Sequence, residues 1–278
     1  SSLARHPHQA TVPAMRSLTG AVRQRGVAFT QLRPAASSSS PVAEKLVIWI
    51  RHGHSEHNAE QEAAAASGRN VHAAIDQERF FDSPLSSTGW AQAEALGRRM
   101  RAAGIELVVC SPLRRALQTA LLAFPGQPPS VLESLRERHF GLPVDCRRSR
   151  SEIAAEVADL IPGADLSGLD GEEDPFPARG KEHAATAGER VRRALAWVMN
   201  RPEQRIAVVT HGWFLQVGLF RPSRVWLMQF DAGEVPLDLG KAWRNCEARG
   251  LAMRRRAGPG PGVAARPVAL DRLAAVPA

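Results

Sequence analysis

The chain predicts an α/β fold, a three-layer α/β/α arrangement around a mostly parallel central sheet, and three observations carry that expectation. Short apolar runs rich in β-branched residues alternate with segments whose apolar residues recur every three or four positions, the pattern of strands covered by helices on both faces. A length of 278 residues, 44% of them hydrophobic, suffices for one substantial core. Polar clusters rich in histidine and arginine follow directly on three of the strands, and in such sheets ligands sit beyond the carboxyl ends.

The elements follow in order. Lys45–Arg51 reads as a strand. Thr88–Ala103 reads as a helix with Trp90, Ala93, Leu96 and Met100 on its apolar face. Ile105–Cys110 is a strand, and Pro112–Phe124 a helix whose proline suits its first turn. Val131–Leu132 belongs to a short strand, and Ser151–Ile161 and Gly188–Met199 are helical. Arg205–Thr210 is a strand that feeds a helix after Gly212, and Asn245–Met253 is a closing strand. Residues 142–182 interrupt the alternation with "LPVDCRRSR" and the acidic "ADLSGLDGEEDPFP", and read as an insertion or lid over the rim.

Charge and composition limit the partners. Of the net charge of +8, five charges lie in residues 1–43 and four in 254–278, which leaves 44–253 at −1. A domain built to neutralise many phosphates carries its positive charge on the folded surface, so no nucleic-acid partner is expected. No apolar run approaches the roughly 20 residues that cross a bilayer, so no membrane partner is expected either. Cys110, Cys146 and Cys246 are widely spaced with no C-x-x-C pair, which fits a reducing compartment rather than a disulfide scaffold. Residues 1–43 hold five arginines, no acid, and the run "RPAASSSS", the composition of an organelle transit peptide for plastid or mitochondrion. A basic leader without an address, and hence a cytoplasmic protein, is the alternative. The end, 254–278, is basic and rich in Gly and Pro, and reads as unfolded.

The chemistry concentrates in "IRHGHSEHN", Ile50–Asn58. Its "HGHSEH" has the form H-x-H-x-[DE]-H, which resembles the first metal motif of the metallo-β-lactamase family, and neutral imidazoles are good zinc ligands. Against a metallohydrolase, Glu56 stands where that family has Asp, and Arg51 would put a cation beside a dication. His72, His139, His183 and His211 fall in no matching downstream motif. No metal and no cofactor are therefore expected, and His54 and His57 read as polar loop residues at the mouth of a site.

A second resemblance is more extensive. Arg51-His52-Gly53-x-Ser55-x-x-Asn58 resembles the R-H-G-x-[TS]-x-x-N signature of the histidine phosphatase, or phosphoglycerate mutase-like, superfamily. In the same order, "SPLSSTGWAQA" (83–93), "SPLRRALQTA" (111–120), "LRERHFG" (135–141) and "VVTHG" (208–212) resemble further elements of that family. "CRRSRSEI", "EEDPF" and "RNCEARG" resemble a plant-type branch of phosphoglycerate mutase-like proteins.

The resemblance implies a phosphomonoester hydrolase that acts on a small phosphorylated metabolite through a phosphohistidine. By place in the motif, His52 is the nucleophile and a neutral imidazole suits that role near pH 7. Arg51 and Arg115 offer planar forks matched to phosphate oxygens. Gly53 lets backbone approach a phosphate closely. His211 adds a donor to oxygens that gain charge. Ser55 and Asn58 supply neutral hydrogen bonds. Glu137 protonates the leaving group and then deprotonates water; its other reading is an ion pair with Arg136 or Arg138. Gly89 and Gln92 read as structural. Trp213 stands where the family often has a small residue, and Arg147 and Arg148 are candidates for a second anionic group, or else a solvated charge cluster. Phosphoglycerate mutase-type transfer is the alternative, since "ERHFG" resembles the mutase segment, but the long mutase insertion is not recognisable in 142–182. A non-enzymatic binder of a phosphorylated ligand is a third reading, and it would be expected to lack one of Arg51, His52, Arg115 or His211.

Overall fold

The computed structural model describes residues 44–160, 162–176, 180–219, 228–230, 241–256 and 263–270. The expected leader, 1–43, lies outside the described residues.

Eight strands are described: β1 (Lys45–Arg51), β2 (Leu107–Cys110), β3 (Ser130–Leu132), β4 (Asp165–Gly168), β5 (Arg205–Thr210), β6 (Met228–Phe230), β7 (Ala248–Arg255) and β8 (Val263–Val268). They form one sheet in the order β4-β3-β2-β5-β1-β7-β8-β6. Only β7 runs against the rest, paired antiparallel to β1 and to β8. The helices are α1 (Glu56–Ala66), α2 (Val71–Ile75), α3 (Ser87–Met100), α4 (Arg114–Ala123), α5 (Arg150–Leu160) and α6 (Ala184–Asn200). A π-helical turn, Phe214–Leu219, follows β5.

Alternation along β1 sorts the core into two layers, because successive side chains of a strand point to opposite faces. Val47 and Trp49 pack with Val191, Ala194, Leu195 and Val198 of α6. Ile48 and Ile50 pack with Ala93 and Leu96 of α3, Ala116 and Leu117 of α4, and Ile153 and Val157 of α5. The result is the α/β/α sandwich the sequence predicts.

Four expectations change. Trp90 is 42% exposed and does not belong to the apolar face of α3. The buried stripe keeps the expected Ala93, Leu96 and Met100 and is completed by Gly89 and Gly97 in place of Trp90. Two close backbone approaches fix it: a Cβ on Gly89 would lie 1.9 Å from the His54 carbonyl oxygen, and one on Gly97 2.8 Å from that of Ala123. The segment 142–182 is not a separate lid, since α5 contributes to the core and β4 extends the sheet beside β3. The tail 254–278 is not wholly unfolded, since β7 runs to Arg255 and β8 pairs along it with Ala264 and Ala265 buried. Asn245–Glu247 precede the closing strand, which starts at Ala248, because Cys246 takes a left-handed turn with φ of 56°. α1, with no apolar periodicity, escaped the pattern and stands on the helix preference of its Ala, Glu and Gln.

Arg147 shows what anchors the 142–182 segment. It is buried, its Nε donates to Glu133 (2.9 Å), and its other nitrogens donate to the carbonyls of Arg148, Gly171, Glu172 and Glu173. Arg136 takes the other Glu133 oxygen (2.8 Å) and both oxygens of Asp174. Arg148 pairs with Asp82 and Glu156. These arginines are committed internally, so neither a second anion site nor a solvated cluster describes them. Breaking a buried pair leaves its partner uncompensated, at a cost of about 3–5 kcal/mol. Arg147→Ala is therefore expected to lower the melting temperature by roughly 10 °C. A shift of only a degree or two in a thermal melt would show that the network contributes little.

Candidate active site

Parallel register brings three motifs to one edge. Arg51 stands opposite Thr210 where β1 pairs with β5, and Cys110 opposite Val209 where β2 does. His52, Ser111 and His211 therefore each begin just past a strand end, at one level. The rings of His52 and His211 have centroids 5.1 Å apart.

His52 is buried, and its Nδ1 lies 2.8 Å from the Gly53 carbonyl. A carbonyl only accepts, so Nδ1 carries the proton and Nε2 keeps its lone pair. Burial, then the charges of Arg115 and Arg51, hold the His52 pKa well below the ordinary histidine value. The ring is thus neutral at pH 7 and nucleophilic at Nε2.

Arg115 is fully buried on the first turn of α4, with Nη1 donating to the Val144 carbonyl (2.7 Å) and Nη2 4.0 Å from Asp145. Burial raises the Asp145 carboxyl to about 7, against the opposing pull of Arg115. Arg51 donates through Nη1 to the Trp243 carbonyl (2.5 Å). His211 meets the Ser111 hydroxyl through Nε2 (2.8 Å). What remains is a set of buried nitrogens without a protein partner: Nε of Arg51, Nε of Arg115 and Nδ1 of His211.

Glu137 pairs with neither Arg136 nor Arg138. Its carboxylate accepts three backbone N–H groups, from Arg138 (3.0 Å), Trp213 (3.1 Å) and Phe214 (3.3 Å). A Cβ at Gly212 would touch both the Arg51 guanidinium (3.6 Å to Nε) and the Glu137 carboxylate (4.0 Å to Oε2), so these two groups flank one glycine. Trp213 stands at the same rim, partly buried, with the Arg138 guanidinium 5.6 Å from its ring.

Three expected phosphate contacts have protein partners instead. The Gly53 N–H donates to Thr119 Oγ1 (2.9 Å), and a Cβ there would lie 2.9 Å from the Gly89 carbonyl oxygen, so Gly53 answers to packing. Ser55 Oγ donates to Asn58 Oδ1 (2.8 Å), and Asn58 Nδ2 donates to His57 Nε2 (3.2 Å) and Gln61 Oε1 (3.1 Å). His57 closes the ring of contacts through Nδ1 to Ser55 Oγ (2.9 Å). It is buried at the start of α1, not a loop residue at the mouth. His54 turns away to Ser86 (2.7 Å) and Glu62 (3.4 Å). The three imidazoles of "HGHSEH" thus serve three separate sets of partners, and no group of three or more metal-binding side chains occurs among the described residues.

Ser111, Thr119 and the Trp243–Cys246 turn join the site without a role assigned from sequence, the turn having offered only the "RNCEARG" resemblance and a strand start at Asn245. Ser111 and Thr119 stood inside the quoted "SPLRRALQTA", read only for Arg115. Gln92, read as structural, accepts from the His54 backbone N–H (2.8 Å) and so steadies the loop itself.

Burial and the nearby Arg115 also hold His57 and His211 well below the ordinary histidine range. Below about pH 6.5 the unfolded chain takes up protons at these three histidines that the folded site rejects, so stability falls with pH. Asp145, and Asp82 whose carboxyl burial also raises, act in the opposite sense above the unfolded carboxyl value, two groups against the three site histidines and His139, which burial lowers as well. The melting temperature is expected to drop from pH 7.5 to 5. A flat profile would mean that the folded site accepts those protons.

Comparison with known proteins follows the same outline. A family profile described as "Histidine phosphatase superfamily (branch 1)" matches residues 47–232. "Phosphoglycerate mutase-like protein 1" of Arabidopsis thaliana is 30% identical over 206 residues, covering 62% of this chain and 69% of that protein. A "Probable phosphatase" of Schizosaccharomyces pombe is 29% identical over 183 residues, covering 61% of this chain and 74% of that protein. The solved ecdysone phosphate phosphatase from Bombix mori in complex with tungstate superposes with a TM-score of 0.52 at 18% identity, over 81% of this chain and 92% of that one, a likeness of fold.

Proposed function

From the premise that the chain belongs to the histidine phosphatase superfamily, we propose that it hydrolyses a phosphomonoester of a small metabolite through a phosphohistidine on His52. One observation carries the reading. The neutral His52 ring is surrounded by groups whose unpartnered nitrogens, on Arg51, Arg115 and His211, suit the oxygens of a phosphate dianion.

The chemistry runs in two steps. His52 Nε2 attacks phosphorus, the bond from phosphorus to the ester oxygen breaks, and Glu137 gives its proton to the departing alkoxide. A water then loses its proton to Glu137 and attacks the phosphohistidine, which returns phosphate and the neutral ring. Arg51, Arg115 and His211 hold the three non-bridging oxygens as their charge changes. Ser111 orients His211, and Thr119 orients the His52–Gly53 peptide. Ser55 and Asn58 shape the loop through each other and His57. Phosphatase-named relatives support hydrolysis; transfer to an acceptor, as in a mutase, is the alternative that the "ERHFG" segment keeps open.

Chemical trapping tests it. Rapid mixing with a phosphomonoester and quenching in base should recover protein-bound phosphate that survives base and is lost in acid. Phosphate release with no such adduct would sink the phosphohistidine step.

A further inference from the structure

We propose that the turn Trp243–Cys246, and Asn245 within it, is a positioning element that aims His52 and holds Arg51; this rests on the phosphohistidine reading above. The turn lies about 190 residues downstream of the catalytic loop and immediately before β7, the antiparallel neighbour of β1. Among the described residues, its contacts with that loop fall on Arg51, His52 and Asn58. The Trp243 carbonyl accepts from the Arg51 guanidinium (2.5 Å). The Cys246 N–H reaches both the Arg51 carbonyl (3.1 Å) and the His52 carbonyl (3.2 Å). Asn245 Nδ2 donates to the His52 carbonyl (3.2 Å) and to Asn58 Oδ1 (3.3 Å).

The orientation of that carboxamide is not arbitrary. Asn58 Oδ1 also receives the Ser55 backbone N–H (3.2 Å), so it is an acceptor, and the Asn245 atom facing it is the donor. Cys246 holds φ of 56°, a left-handed value uncommon for a residue with a Cβ, and strain of this kind persists where surrounding contacts enforce it. Here it accompanies an N–H that meets two carbonyls of the catalytic loop.

The consequence falls on one peptide plane. The His52 carbonyl and the Gly53 N–H are the two ends of the same planar unit. Asn245 and Cys246 hold the oxygen end, and Thr119 Oγ1 holds the nitrogen end (2.9 Å). Fixing both ends fixes the rotation of that plane about the His52 Cα. The imidazole's own anchor, Nδ1 to the Gly53 carbonyl, lies on the next peptide unit, whose nitrogen end, the His54 N–H, is held by Gln92 Oε1 (2.8 Å). The nucleophile's direction is set from three distant places in the chain.

Attack on phosphorus demands this alignment, and a displacement of about 1 Å can cost on the order of 100-fold in rate. Phosphate binding does not depend on it, because Arg51 and Arg115 are held by the backbone carbonyls of Trp243 and Val144, which a change at Asn245 leaves in place.

The experiment compares wild type, Asn245→Ala and Asn245→Asp in rapid quench with an aryl phosphate, with rates taken per folded molecule by circular dichroism. Both variants are expected to slow adduct formation and kcat by roughly 10–100-fold, with KM changed less than about threefold. Alkyl and aryl substrates should slow alike, since attack rather than leaving-group protonation is impaired. Asn245→Asp keeps the shape and removes the donor, so it carries the test if Asn245→Ala fails to fold. Adduct formation within about threefold of wild type overturns the proposal, including the case of a lowered melting temperature at an unchanged rate, as does a raised KM at unchanged kcat. Absence of an adduct in the wild type is a different failure, that of the phosphohistidine reading itself.

Discussion

Replacing His52 by alanine is expected to abolish turnover and the protein-bound phosphate together. The ring is neutral because burial and two guanidinium groups disfavour its protonated form. Its Nδ1 is tied to the Gly53 carbonyl, so Nε2 is the one nitrogen free to attack. No neighbour substitutes for it. His211 contacts Ser111 through Nε2 and in the proposed reading keeps Nδ1 as a donor to the phosphate oxygens, and both His57 nitrogens are engaged by Ser55 and Asn58. Loss of a covalent nucleophile should therefore reduce kcat by at least about 10⁴-fold. The readout is radiolabelled phosphate on the base-quenched protein beside steady-state phosphate release. Ordinary turnover in His52→Ala would remove the whole assignment of the "RHG" motif. In the wild type, an added alcohol or phosphoglycerate that takes the group much faster than water does would turn the reading to a mutase.

Glu137→Gln is expected to slow hydrolysis of alkyl esters by roughly 10²–10⁴-fold and of aryl phosphates by much less. A phenolate leaves readily without a proton, whereas an alkoxide does not. With the aryl substrate the adduct should accumulate, because water must still be deprotonated in the second step. The geometry adds a second effect. Glu137 accepts from Arg138, Trp213 and Phe214 with both oxygens, and a glutamine has one oxygen for all three. Its amide nitrogen would face a backbone N–H, so a melting curve belongs beside the kinetics. Equal slowing of alkyl and aryl esters would mean that Glu137 positions the site but moves no proton.

Much of the fold was legible because it depends on short-range periodicity. β1 and β5 were readable to the residue, since apolar β-branched runs bounded by charged residues admit few alternatives. The catalytic loop was readable from its residue types: a histidine after a strand, flanked by arginine and glycine, has a narrow range of uses. β4 and β8 were not readable. Each owes its strand state to a neighbour that the sequence does not name, β3 for one and β7 for the other. The acidic turn 170–174 read as part of an insertion or lid, because nothing local says that Arg136 and Arg147 reach it.

What the sequence determined by itself was the class of fold, the order of the motifs, and the chemical groups available for phosphoryl transfer. Only the tertiary structure decided which of those groups are free to act. Gly53, Ser55 and Asn58 had the right types for phosphate contacts, but their donors and acceptors are taken by Thr119, His57 and one another. Asn245 read as the first residue of the closing strand and instead sits in the turn before it, where it reaches the nucleophile's own carbonyl. The physical reason is that a hydrogen bond is a relation between two atoms a few ångströms apart. Sequence lists the donors and acceptors. The parallel register of β1, β2 and β5 and the antiparallel return of β7 decide which of them meet.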